Sequence, residues 1–530
     1  MKDYKQEIYV DFRQDDIRRQ MLAALEEVRA EFGKKYPLWI GKDKIYLDDT
    51  FTSVNPNNPQ EVLGHLSNGT AEHAQLALQA ATDAFATWKK VPYRARADYL
   101  LEAAERMRQR KYYYSAWMVY EVGKNWGEAD ADTAESIDFM EYYARQMIHL
   151  AEGANDLLVP YNNEINELHY IPLGVGVVIP PWNFPNAILV GMATAALVTG
   201  NTVVAKPAEQ SPIIGIKTMD LLREVGIPAG VLNVLTGPGE IVGAEMVSSP
   251  LTRFVAFTGS RNVGVHIFNE ASKVKEGQKW LKRTILEMGG KDAVVVDETA
   301  DLDAAAQGIV TSAFGFQGQK CSAGSRAIIV KDVYDYVEKR VVELTREIAV
   351  GDVADPENYM GAVIDREAFD KISSYIEIGK QEGELLVGGT AAQDPETEGY
   401  VIHPTVFGKV AGDARVAQDE IFGPILALVP AEDYDDALNI ANSTDYGLTG
   451  AVYSGDPARL QRAKEEFHVG NLYLNRKCTG AMVGSHPFGG FNMSGTDSKA
   501  GGPDYLLLFT QAKSIATNPT VKVSSQAKGE

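Results

Sequence analysis

From Ala71 to Lys90 the apolar residues Ala77, Ala80, Ala81, Ala84, Phe85 and Trp88 recur at helical spacing with polar residues between them. This pattern predicts an amphipathic helix that packs on a flat surface. A second helical stretch follows Pro92. Near residue 174 the pattern changes to short β-rich runs, "GVGVVI", "NTVVAK", "GVLNVL" and "RFVAF", separated by helical segments such as "GIKTMDLLREVG". Strand and helix alternating over short loops predict a parallel, doubly wound sheet. After Gly290 the alternation begins again with "DAVVV", "SRAIIV", the helix "VYDYVEKRVVELTREI", "GPILALV" and "GNLYLN", and this predicts a second α/β domain. No internal repeat or low-complexity segment is evident, and the polar ends, 1–40 and 518–530, read as an arm and a frayed tail.

Composition agrees with this layout. A chain of 530 residues is too long for one ordinary core and suggests two to four domains. Apolar residues at 45% and charged residues at 23% mark a globular protein rather than a disordered one. The net charge of −21, with a pI near 4.9, argues against nucleic acid or an anionic membrane as partner. Its start, "MKDYKQEIYVDFRQDD", lacks the apolar core of a signal peptide. The nearly apolar run "AILVGMATAALVTG" suits a buried helix better than the roughly 20 residues a bilayer requires. Two cysteines, Cys321 and Cys478, cannot build a disulfide framework, so a reducing cytoplasm is expected. The eight histidines show no ligand spacing, and no metal is expected.

Two turns suit a nucleotide. "GPGEIVG" places Gly237, Gly239 and Gly243 between a strand and a helix, but the third glycine falls one position late for the dinucleotide fingerprint, so alone it reads as a tight turn. "FTGSRNVG" also ends a strand and opens a helix, whose free N–H groups suit a phosphate. Cys321 stands in "GFQGQKCSAGSR", among three glycines and beside Lys320. A lone cysteine is ordinarily a small buried hydrophobe, and nothing local overrides that reading.

Taken in order, "PPWNFPN", "KPAEQSP", "FTGSRNVG", "LEMGGK", "GQKCSAGSR", "DEIFGPIL" and "PFGGFNMSG" resemble the aldehyde dehydrogenase superfamily over more than 300 residues. The resemblance implies an α/β fold with a Rossmann-like NAD-binding domain (41–157 and 173–287), an α/β catalytic domain (288–496) and a small β bridging element for oligomerisation (158–172 and 497–530), after an N-terminal arm (1–40). It implies Cys321 as nucleophile, Asn183 with the Cys321 N–H as oxyanion donors, and Glu287 as the base for thioester hydrolysis. It also implies Lys206 and Glu209 at the adenosine ribose, Ser260 at the pyrophosphate, and Glu420 with Phe422 at the nicotinamide ribose. The loop "GPGEIVG" then lines the adenine side, and Glu209 favours NAD over NADP by repelling a 2′-phosphate.

Within the superfamily the chain is similar to the branch that oxidises glutamate γ-semialdehyde to glutamate in proline and arginine breakdown. That likeness implies a site for the substrate's own carboxylate, formed by Lys320, Ser322 and the N–H groups of Gly480 and Ala481, with Phe184 and Phe488 as walls and Glu135 near the α-ammonium. Where some relatives carry serine in that loop, this chain has Ala481, so only the backbone can serve there. Another semialdehyde dehydrogenase is the alternative within the class. An acylating relative would have no use for Glu287, and a silent structural member would be expected to lose Cys321, Asn183 or Glu287. The single fold uses up the chain, which implies one activity, and "NELHYIPLG" with "DYLLLFTQAKSIA" resemble bridging strands that pair at least two subunits.

Overall fold

The computed structural model describes residues 3–393 and 397–520. Two seven-stranded sheets organise it. The first runs, in spatial order, Arg283–Glu287, Thr252–Thr258, Val175–Ile179, Thr202–Ala205, Leu232–Val234, Leu38–Ile40 and Asp43–Ile45. Its first five strands are parallel, and the last two form an antiparallel edge. The central strands Thr202–Ala205 and Leu232–Val234 are buried throughout. Continuous burial is what a sheet covered on both faces requires, and it explains why these runs are apolar rather than alternating.

The amphipathic helix Ala71–Trp88 packs through Ala74, Ala77, Leu78 and Ala81 on one face, and the helix Ala187–Val198, buried at every residue but Ile188, lies in the main core. The second sheet runs Glu384–Val387, Thr405–Gly408, Ile425–Ala431, Arg326–Val330, Ala293–Val296, Thr449–Tyr453 and Asn471–Leu474, parallel except at its first strand. A separate antiparallel pair, Ile165–Pro172 with Thr510–Thr517, is in register from Thr510 opposite Pro172 to Thr517 opposite Ile165. The fold is therefore α/β, with a Rossmann-like sheet, a second α/β sheet and a small β element.

The end expected as a polar arm has more structure than its composition suggests. Asp15–Arg29 is a helix that buries Met21, Ala24, Leu25 and Val28, a stripe at helical spacing hidden among charges, and Leu38–Ile40 joins the first sheet. Only residues 3–11 lack regular structure before it. The expected frayed tail, 518–530, lies outside the described residues from 521 on. The helices Lys111–Val122 and Trp126–Gly153 are buried on most sides, so they show no stripe by which their pattern could be read. Among the described residues no helix is long and apolar enough to cross a membrane, and no three His, Cys, Asp or Glu side chains are grouped to hold a metal ion.

Candidate active site

The loops that follow the parallel strands of the first sheet open onto a cleft of about 1240 Å³, the position a doubly wound sheet reserves for ligands. Asn183 follows strand Val175–Ile179, Lys206 follows Thr202–Ala205, and Ser260 follows Thr252–Thr258; all three line the cleft. The second sheet faces them with loops that precede its strands: Cys321 before Arg326–Val330, and Glu420 with Phe422 before Ile425–Ala431. The cleft thus brings together seven of the expected residues, Glu209 included.

At its far end the Lys206 ammonium is buried and lies 3.0 Å from the Glu209 carboxylate, which also accepts from the N–H of Gly239 at 2.7 Å. Glu209 therefore ties "KPAEQ" to the "GPGEIVG" turn, and Gly239, Glu240, Ile241 and Gly243 of that turn line the cleft. Ser260 caps helix Arg261–Ala271, its hydroxyl accepting from Val263 N–H at 3.4 Å. Near Cys321, Glu420 accepts from Gly290 N–H at 3.2 Å, and Phe422 meets the Trp182 ring edge to face at 5.5 Å. The pair Gly289–Gly290 is dictated by close approach. A Cβ on Gly289 would sit 2.1 Å from the Glu420 carboxylate, and one on Gly290 would sit 2.6 Å from the Cys321 carbonyl.

The nucleophile loop holds an unusual backbone. Phe316, Gln317 and Gly318 have φ of 50°, 56° and 66°, a left-handed run that two non-glycine residues adopt only when their surroundings compel it. Those surroundings are specific. Phe316 is fully buried between the rings of Trp182 and Phe184. The Gln317 amide donates to the carbonyls of Gly123 and Ala362, both at 2.9 Å, and Gln319 accepts from Ile364 N–H at 2.9 Å. Asn183 is buried and donates one amide hydrogen to the Gln319 carbonyl at 2.9 Å; an amide carries a second donor, which leaves one for an oxyanion at Cys321.

Burial pushes the Cys321 thiol well above its ordinary range, and the carboxylates of Asp292, Glu420 and Glu287 push it the same way, against the Ser322 N–H. At rest the group is a thiol. Glu287 ends strand Arg283–Glu287 but does not line the cleft: Ser498 Oγ donates to its Oε1, and its Oε2 is buried without a hydrogen-bond partner among the described residues. Burial raises this carboxyl to about 8, although Ser498 and Lys499 pull it down. A carboxyl in that range can exchange protons near neutrality once it leaves Ser498.

The other side of Cys321 is built from charge. Lys320 is paired with Glu128 at 2.6 Å, so it is neither a surface lysine nor a bare cation. Burial opposes ionisation of Glu128, but Lys320, Lys124 and Lys477 outweigh it and hold its carboxyl below the usual range. Ser322 is buried, and its carbonyl accepts from the Cys478 thiol at 3.5 Å. Cys478 begins the loop carrying Gly480 and Ala481, so the chain's second cysteine fastens that loop to the nucleophile segment. Arg476 donates to the carbonyls of Thr479 and Gly480, each at 3.0 Å, and Gly480 turns at φ 79°. The N–H groups of Gly480 and Ala481 donate to nothing among the described residues, which leaves two adjacent donors for an anion.

Phe184 lies beneath the Lys124 ammonium, 3.7 Å from its ring centre, and Phe488 is held in an antiparallel bridge with Ala500. Glu135 lies on helix Trp126–Gly153, and burial and nearby Asp132 push its carboxyl up to about 8. Sequence reasoning missed Glu128, Lys124, Lys477 and Ser498. For the first two, the run "GKNWGEADAD" was a visible concentration of charge within a stretch that proves buried; Ser498 had no local signal.

The fully buried pair Lys124–Asp132, 2.7 Å apart, also organises the site, because Asp132 accepts from Ala187 N–H at 2.7 Å and so caps the helix after "PPWNFPN". Lys124→Met should leave Asp132 uncompensated and cost about 3–5 kcal/mol of stability. Urea unfolding of the full chain measures this, and a loss below about 1 kcal/mol would contradict the pairing.

A model of the aldehyde dehydrogenase family matches residues 43–515. The chain is 57% identical over 519 residues to the 1-pyrroline-5-carboxylate dehydrogenase of Geobacillus thermodenitrificans, covering 97% of this chain and 99% of that one. Among solved structures, 1-pyrroline-5-carboxylate dehydrogenase from Thermus with bound NAD is similar at TM-score 0.95 and 49% identity, covering 98% of this chain and 99% of that one. Proline utilization A from Bdellovibrio bacteriovorus is similar at TM-score 0.95 and 45% identity, covering 100% of this chain and 54% of the other. On the extent of these matches, the chain belongs to the aldehyde dehydrogenase family.

Proposed function

We propose that the protein is an NAD-dependent dehydrogenase that oxidises glutamate γ-semialdehyde to glutamate. One observation supports the choice of substrate: the Cys478 thiol on the Ser322 carbonyl ties the loop bearing the open N–H donors of Gly480 and Ala481 to the segment that carries Cys321. A plain aldehyde has no group for those donors. The names of the relatives point the same way.

The cleft suits a dinucleotide in size and in donors. It exceeds the roughly 300–1,000 Å³ of a site for one small ligand, and it offers a buried ammonium, a carboxylate for sugar hydroxyls and a helix N-terminus. Lys206 and Glu209 would hold the adenosine ribose, Ser260 the pyrophosphate, and Glu420 with Phe422 the nicotinamide ribose. Bound NAD supplies the hydride acceptor. The protein does the rest. The Cys321 S–H bond gives its proton to solvent and the sulfur bonds to the aldehyde carbon, while the C=O π pair moves onto oxygen and Asn183 and the Cys321 N–H receive the oxyanion. Loss of hydride leaves a thioester on Cys321. Glu287, released from Ser498, then takes a proton from water; the hydroxide adds, the C–S bond breaks, and the sulfur leaves as thiolate with glutamate as product.

Incubating the purified protein with NAD and a panel of aldehydes tests the reading by NADH formation, with glutamate γ-semialdehyde expected to lead. Cofactor choice has its own test. Glu209→Ala should raise the NADP-to-NAD ratio of kcat/KM by roughly tenfold, the scale of a partly screened charge repulsion. A wild-type enzyme that prefers NADP at equal concentrations would remove Glu209 from this role.

The pair Ile165–Pro172 with Thr510–Thr517 is the surface we assign to self-association into a dimer or larger assembly. Apolar Leu157, Val159, Tyr161 and Ile165 are exposed next to it, where a second copy would cover them. With free cysteines at the site and an acidic surface, we assign the enzyme to the cytoplasm.

A further inference from the structure

Residues 4–9 run extended along helix Trp126–Gly153 and are fastened to it through their own backbone. Glu7 N–H donates to Asp138 at 2.8 Å, Val10 N–H donates to Asp130 at 3.0 Å, and the Lys111 ammonium donates to the Ile8 carbonyl at 2.7 Å. Phe12 closes the far end against Trp126, ring centres 5.3 Å apart. A polar segment with few apolar side chains would ordinarily fray at a chain end. These anchors use Asp130 and Asp138 of that helix and Lys111 at the start of helix Lys111–Val122, all largely buried, so the two helices are equipped to hold it.

With its backbone committed to the helix, the segment points its side chains at loop 478–488. Tyr4 hydroxyl donates to the Val483 carbonyl at 3.2 Å, and the Gln6 amide donates to the same carbonyl at 3.3 Å and to Ser485 Oγ at 2.7 Å. Tyr9 hydroxyl reaches Met482 Sδ at 3.3 Å. Gly484, at φ 78°, passes so close to the rings of Tyr4 and Tyr142 that a Cβ there would sit 3.1 Å from each. These contacts fall on residues 482–485, immediately after the two unpaired donors Gly480 and Ala481. Tyr4 and Val483, 479 residues apart along the chain, meet at the loop proposed to read the substrate's carboxylate.

We infer that residues 4–9 are a strap that holds loop 478–488 in its anion-receiving shape, with Gln6 as the principal positioning residue. The inference rests on the substrate reading above. The strap touches no reacting atom. It lowers the ordering that the loop would otherwise undergo when the carboxylate binds, and a receptor ordered in advance binds more tightly for the same contacts. Its effect therefore falls on recognition of the carboxylate rather than on hydride transfer.

The test uses the full chain with Gln6→Ala and Tyr4→Phe, singly and together. In the double variant KM for glutamate γ-semialdehyde and the inhibition constant of glutamate should rise together by about tenfold, the scale of two or three lost hydrogen bonds, while kcat, NAD affinity and the kcat/KM of propanal hold. Hydrogen exchange at the amides of 480–485 should quicken in the same protein without any ligand. Unchanged exchange there overturns the strap, as does an unchanged glutamate inhibition constant. Wild-type enzyme that shows no preference for the semialdehyde over propanal overturns the substrate reading instead, and the exchange measurement still decides the strap.

Discussion

Cys321→Ala should abolish NADH formation, whereas Glu287→Gln should release about one NADH per active site in a burst and then slow by roughly a hundredfold or more. In the proposed mechanism the two residues act on opposite halves of the cycle. Without sulfur no tetrahedral adduct forms and no hydride leaves. With sulfur but no base, oxidation proceeds once and the thioester waits. Mass spectrometry of the Glu287→Gln protein after the burst should find the acyl group on Cys321. The raised carboxyl adds a second signature. Glu287 must be deprotonated to act, and burial places that event at about 8, so the steady-state rate should climb with pH through that range and the climb should vanish in Glu287→Gln. Normal steady-state turnover in this variant would remove Glu287 from the mechanism.

The hydrogen bond from Ser498 to Glu287 shows what the chain's own pattern could and could not reveal. Which strand ends bear Asn183, Lys206 and Ser260 was legible, because buried β-rich runs announce themselves and the loops at their carboxyl ends carry the motifs. The direction in which Glu287 points was not. It depends on a hydroxyl 211 residues away, on the far side of the second sheet in the sequence. Lys320 is a similar case: its charge was visible, yet its partner Glu128 is 192 residues upstream on a helix whose buried sides erase the amphipathic signal.

The nucleophile loop failed to announce itself for a different reason. Phe316 and Gln317 adopt left-handed backbone because side chains from distant segments hold them there, and local propensity points away from that conformation. Strain of this kind is imposed by tertiary structure. Only the glycines flanking it, and the paired Gly289–Gly290 that Glu420 and the Cys321 carbonyl crowd, leave a trace in the sequence. The placement of residues 4–10 left no trace in the pattern for the converse reason, since the N–H groups of Glu7 and Val10 are held by the carboxylates of Asp138 and Asp130 on the helix beneath.

An aldehyde of the same length as glutamate γ-semialdehyde but without its carboxylate should lose on the order of a hundredfold or more in kcat/KM. In the proposed site the carboxylate would meet two backbone donors, at Gly480 and Ala481, and the hydroxyl of buried Ser322, and a charge-assisted hydrogen bond contributes about 1.5–3 kcal/mol. Lys320 adds field rather than a free ammonium, because Glu128 already holds it at 2.6 Å; a substrate carboxylate must share that cation. Most of the discrimination therefore belongs to the backbone and Ser322. Ser322→Ala should weaken the semialdehyde and competitive inhibition by glutamate alike, while the poor rate of hexanal stays nearly where it was. If butyraldehyde or hexanal matches glutamate γ-semialdehyde in efficiency, the space beyond Cys321 is a general apolar tunnel, and the two open N–H groups serve no carboxylate.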